Sequence, residues 1–147
     1  GFFAHQEEID MCWRLRSRGY RLVCTPQSVV YHVGGATLSV ESPRKTFLNF
    51  RNNLLMLYKN LPEKDLRHVM RIRFWLDYIA ATKFLLCGHF PNAKAVYEAR
   101  KAFFEMKPEY ATKRRENLAK TTLTDIPELM RQSLIVAFYL KRRKKYA

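Results

Sequence analysis

The 147-residue chain carries 27 Lys and Arg against 13 Asp and Glu, a formal net charge of +14, with 48% apolar and 14% aromatic residues. At this length a single domain buries about two thirds of its unfolded surface, and ten Phe and eight Tyr are too many for a disordered polyelectrolyte. Five Gly, six Pro and three Cys exclude collagen-like, low-complexity and disulfide-scaffold classes.

Cys12, Cys24 and Cys87 are odd in number and contain no C-x-x-C pair, so they are expected as small reduced hydrophobes and not as a zinc site. The chain opens at Gly1 without a Met or a basic leader, as expected of a piece of a longer protein. Its longest apolar run, Leu134 to Leu140, is seven residues, well below the roughly 20 that a spanning helix needs. The positive balance implies attraction to polyanions, namely nucleic acid, anionic lipid or phosphorylated substrates.

From His5 to Arg18 an acidic start, apolar residues Ile9, Cys12, Trp13 and Leu15 at helical spacing and a basic end predict a helix, with Gly19 at the stop. Tyr20 to Thr25, cut by Pro26, and Ser28 to Val33, closed by Gly34-Gly35, are rich in β-formers and predict a short strand pair or hairpin. Ser42-Pro43 supplies an N-cap and a first-turn proline for a second helix, in which Phe47, Phe50, Leu54, Leu57, Tyr58 and Leu61 repeat until Pro62. A third helix is expected from Glu63 to Leu86 before Gly88. A fourth is expected from Pro91 to about Met106, ended by Pro108, with Ala95, Ala99, Ala102 and Phe103 on one face. Residues 109–123 are polar and weakly patterned. Thr124-Asp125 and Pro127 then open a final helix through Leu140 into the basic run 141–145. The expected fold class is α+β, mostly α: residues 1–41 form a short α/β stretch and residues 42–147 a helical array.

The most unusual feature is Glu7-Glu8-Ile9-Asp10. Acidic residues suit a first turn, where the positive helix end stabilises each by about 0.3–1 kcal/mol; the same position also suits a carboxylate poised as a general base. His32, at a strand end before Gly34-Gly35, is either a hydrogen-bonded structural residue or a ligand completing an oxygen-rich metal site.

The run Phe2-Phe3-Ala4-His5-Gln6-Glu7-Glu8-Ile9-Asp10-Met11-Cys12-Trp13-Arg14-Leu15, then Arg18-Gly19-Tyr20, Pro26 and Val29-Val30-Tyr31-His32-Val33-Gly34-Gly35, resembles the carboxyl-terminal part of the catalytic domain of family 2 glycosyltransferases. The helix with Arg51-Asn52 resembles the one that follows in members that build bacterial cell-surface polysaccharides. The resemblance implies a GT-A fold and transfer of a sugar, with inversion, from a nucleotide-sugar donor to the hydroxyl of a sugar or lipid-linked acceptor. It places the catalytic base on Glu8, where the family usually has Asp, with Glu7 and Asp10 as its acidic companions and Arg14 as a structural ion pair. It also places His32 in the shell of a divalent cation, Mg or Mn, that neutralises the departing diphosphate. The family's nucleotide-binding half and its Asp-x-Asp motif have no counterpart in this sequence. Tight donor binding and turnover are therefore not expected of these residues alone. The location implied is cytoplasmic, at the inner face of the cytoplasmic membrane.

In the third helix, Val69, Ile72, Leu76, Ile79, Ala80 and Leu86 form an expected packing face. The other reading is a membrane-interface face anchored by Phe74, Trp75, Tyr78 and Phe84. Leu134 to Tyr146, apolar and then basic, suits either an ordinary helix end or an anionic membrane surface. The alternative function is a basic helical interaction module for membrane, nucleic acid or a partner chain. No helix-turn-helix spacing, RNP-like strand or Cys/His finger supports specific nucleic-acid binding. Self-association is expected if Trp13 and Val30 lie on a face normally covered by the nucleotide-binding half.

Overall fold

A computed structural model of the protein describes residues 5–31 and 42–129. The described chain is mostly α: α1 (Glu7–Ser17), α2 (Pro43–Asn60), α3 (Glu63–Leu86) and α4 (Phe90–Ala119). The first three have the bounds that their punctuation dictates. Gly19 ends α1 in a left-handed conformation (φ 84°), Ser42-Pro43 opens α2, Pro62 separates α2 from α3, and Gly88 (φ 77°) closes α3.

Among the described residues, 20–31 contain no strand. Val23, Val29, Val30 and Tyr31 are exposed there, and the segment has only a local turn in which Ser28 N–H donates to the Thr25 carbonyl at 3.0 Å. A lone strand pair without a further partner is marginal in water, so β-formers alone do not make a sheet. His32, the rest of the expected second strand and the helix expected beyond Leu129 lie outside the described residues. At 124–129 the chain is in turns and irregular structure, not in the opening of a helix.

α2 is the central helix, with no exposed residue from Lys45 to Leu61. Leu54 and Leu55 of α2 and Phe103 and Tyr110 of α4 form the core, and Tyr58, Met70 and Met106 pack around it. Asn92 at the start of α4 donates to Thr46 Oγ1 at the start of α2 (2.9 Å), and Asn117 near the end of α4 donates to Asn60 Oδ1 at the end of α2 (3.0 Å). α2 and α4 therefore run parallel, with α3 as the antiparallel return. Small residues Ala93, Ala95, Val96 and Ala99 on α4 are buried, consistent with the expected face.

α4 differs from expectation in passing through Pro108 and continuing to Ala119. Proline within a helix removes one hydrogen bond and crowds the carbonyl four residues back, at a cost of about 3 kcal/mol. That carbonyl belongs to Phe104, an exposed residue on the outer side of α4. Beyond the proline, three buried side chains hold the helix against α2: Tyr110, Arg114 and Asn117. Arg114 Nη1 donates to the carbonyls of Tyr58 and Leu61 (the latter at 2.7 Å), and its Nη2 meets Glu63 Oε2 at 2.9 Å. One guanidinium thus caps the α2 carboxyl end and bridges to the start of α3. Replacing Arg114 by Ala is expected to destabilise the chain by about 2–3 kcal/mol, because it strands those carbonyls in the interior. The measurement is urea unfolding with amide exchange, where protection over 109–119 should fall more than protection over 92–103.

α3 is rotated relative to the expected packing face. Val69, Leu76 and Ala80 of that face are half-buried as expected, together with Leu66, Met70, Arg73 and Phe84 around the buried Asp77, whereas Ile72, Ile79 and Leu86 lie in solvent. The reason is a polar seam. Asp77, fully buried, accepts from Arg100 Nη1 of α4 at 2.7 Å and pairs with Arg73 Nε at 2.7 Å. A buried carboxylate must face its cations, and that requirement sets the rotation of the helix.

Candidate functional site

The Glu-Glu-Ile-Asp run divides at the start of α1. Asp10 turns inward and is 4% exposed. Its Oδ2 accepts from Arg14 Nε at 3.0 Å and Lys59 Nζ at 2.5 Å, and its Oδ1 accepts from Asn60 Nδ2 at 2.8 Å. The network continues from Asn60 to Asn117, whose Oδ1 accepts from Arg18 at 3.3 Å, so it ties α1, α2 and α4 together. Burial holds the Lys59 ammonium below its usual pKa, an effect that the bond and charge of Asp10 partly offset. Asp10 is therefore saturated as an anchor, and Arg14 is the structural ion pair that the sequence implied. Replacing Asp10 by Ala leaves Lys59 half-buried without its carboxylate. About 3 kcal/mol of stability should be lost, with α1 undocking first. Limited proteolysis checks this: cleavage within 7–20 should precede cleavage within α2 to α4.

Glu7 and Glu8 point the other way. Both are exposed in the first turn of α1, and among the described residues neither forms an ion pair. The backbone that delivers them is strained. His5 (φ 66°) and Gln6 (φ 71°) are consecutive non-glycine residues in the left-handed region, which costs on the order of 1–3 kcal/mol each and persists only where neighbouring structure holds it. The clamp is Asn52 of α2, fully buried, whose Nδ2 donates to the His5 carbonyl at 3.1 Å. Arg51 Nε and Nη2 in turn donate to Asn52 Oδ1 at 3.1 and 2.9 Å. His5 Nε2, also buried, has no hydrogen-bond partner among the described residues.

Lys59 and Asn60 are positioning residues that sequence reasoning did not single out, and Asn52 was named only as part of the resemblance. A signal was present: Leu48, Asn52, Leu55 and Lys59 follow i, i+4, i+7, i+11 on α2, so two polar residues lie on an otherwise apolar face. Beside this network is an open hollow in which five cations, Arg14, Arg18, Lys59, Lys113 and Lys120, meet the single carboxylate Glu116. Such a concavity attracts anions.

The divalent cation that the resemblance implies would draw on His32 and on the nucleotide-binding half, neither of which is among the described residues. Among the described residues no three His, Cys, Asp or Glu side chains converge, Asp10 is already occupied, and His32 lies outside them. No described helix is long and apolar enough to cross a membrane. The described cysteines are free: Cys12 is half-buried, and Cys24 and Cys87 are exposed. No family model, curated protein or solved structure matches the chain.

Proposed function

We propose that the chain is the carboxyl-terminal piece of an inverting glycosyltransferase of the GT-A type, acting in cell-surface polysaccharide synthesis, with Glu8 as its general base. The observation that carries this proposal is the strained His5-Gln6 turn clamped by Asn52, which delivers Glu8 to solvent at the positive end of α1. Strain held by a buried clamp is characteristic of functional loops. The clamp also joins two separate parts of the family resemblance, the acidic run and Arg51-Asn52. Two segments that resemble one family's motifs and lie 47 positions apart are thereby neighbours in space.

In the proposed reaction the acceptor hydroxyl oxygen attacks the anomeric carbon from the face opposite the nucleoside diphosphate. The bond from that carbon to the diphosphate oxygen breaks, and the acceptor's proton passes to the Glu8 carboxylate. General-base assistance of this kind contributes about 10² to 10⁴ in rate. Glu7 adds negative charge beside the base, and Asp10 holds the helix that carries it. A divalent cation, Mg or Mn, would supply charge neutralisation for the leaving diphosphate from the nucleotide-binding half. The exposed β-formers at 20–31 fit the same proposal, as strands whose sheet partners belong to that half. The location proposed is cytoplasmic and peripheral. The test is Glu8→Gln in the longer protein, with transfer and donor binding both measured.

A further inference from the structure

We propose that the outer face of α3 is a docking surface for an anionic lipid bilayer. This proposal is independent of the sugar-transfer reading. The side of α3 opposite its seat on α4 carries Ile72, Trp75, Ile79 and Leu86, which are 44%, 66%, 64% and 84% exposed. They recur at i, i+3, i+7 and i+14, a single stripe along three to four turns. The ion-paired seam of Asp77, Arg73 and Arg100 locks the helix in this rotation, so the apolar stripe cannot turn inward without unpairing a buried carboxylate.

Charge identifies the occupant. From Leu66 to Leu86 the sequence has one carboxylate, Asp77, and it is sealed inside. The exposed charges of that span are Arg67 and Arg71 on one flank of the stripe and Lys83 on the other. An apolar stripe containing Trp and bordered by cations matches a helix lying in the interfacial plane, with the ring at headgroup level and the long basic side chains reaching phosphate. A second copy of the chain is a poorer fit, because a two-fold contact through this face would bring the same cations together.

The experiment is flotation of the chain with vesicles of phosphatidylcholine alone and of phosphatidylcholine with phosphatidylglycerol, at low and moderate salt. The chain is expected to float with the anionic vesicles and to remain in solution with the neutral ones. Residues 141–145 are themselves basic, so the α3 variants decide the outcome. W75S/I79S should lower partitioning more than tenfold. R71Q/K83Q should lower it about 30-fold, from roughly 1 kcal/mol per cation near an anionic surface. All four residues are exposed, so circular dichroism of each variant should be unchanged. The proposal is overturned if the chain stays in solution with anionic vesicles at low salt, or if W75S/I79S floats like the parent. It is equally overturned if light scattering shows a dimer that W75S/I79S dissolves, since the stripe would then be a protein interface.

Discussion

Glu8→Gln in the longer protein is expected to lower the rate of sugar transfer by about 10² to 10⁴ while leaving donor affinity within about twofold. The asymmetry follows from geometry. Glu8 is exposed at the amino end of α1, so its replacement by an isostere disturbs no packing. What is lost is an acceptor for the proton that leaves the attacking hydroxyl. Glu8→Asp should retain most of the activity, because the resembling family carries Asp there and the carboxylate is only one methylene shorter. Asn52→Leu supplies a second readout. It removes the donor to the His5 carbonyl without touching Glu8, so the turn should relax and kcat should fall with KM for the donor little changed. Turnover by Glu8→Gln at the parent rate would remove the general-base assignment, and equal loss from Glu8→Asp would show that packing, not basicity, was disturbed.

The sequence revealed elements more readily than orientations. Gly19, Ser42-Pro43, Pro62 and Gly88 are local signals, and each marks a helix boundary within a residue or two. Pro108 is an equally strong local signal that was overruled, because Tyr110, Arg114 and Asn117 reach back to α2 across more than fifty residues of chain. Strand propensity at 20–31 failed to produce a strand among the described residues for the opposite reason: no described segment lies alongside to pair with it. Within the acidic run, composition placed three carboxylates in one turn but did not say which would face inward. Asp10 is set apart by Arg14 one turn on and by Lys59 and Asn60, some fifty positions away. The rotation of α3 was hidden in the same way, since its apolar periodicity is split: Val69, Leu76 and Ala80 are half-buried, while Ile72, Ile79 and Leu86 fall on the outer face.

Asp77→Ala should be the most destabilising single change in the helical array, at about 3–5 kcal/mol, read by urea unfolding at neutral pH. The loss does not measure the strength of the ion pair. It arises because Arg100, 8% exposed and stacked on the rings of Phe74 (4.9 Å) and Tyr78 (5.9 Å), would keep its buried charge with no acceptor. Burial itself raises the Asp77 carboxyl above its usual range, against the opposing pull of Arg73 and Arg100. A folded-state pKa above the unfolded one means that the folded chain binds the proton more tightly. The stability contributed by this group is thus complete at pH values below the ordinary Asp pKa, and it is lost as pH rises through the folded value. Asp77→Asn keeps the shape and an acceptor oxygen while removing the titration. Its cost should be far smaller than that of Ala, and its stability relative to the parent should improve as pH is raised from the acid side toward neutrality. If Asn proved as damaging as Ala at neutral pH, the negative charge would be an asset to the fold. The seam that turns the apolar stripe of α3 outward would then be held by attraction between charges, and not by the need to keep Arg100 partnered.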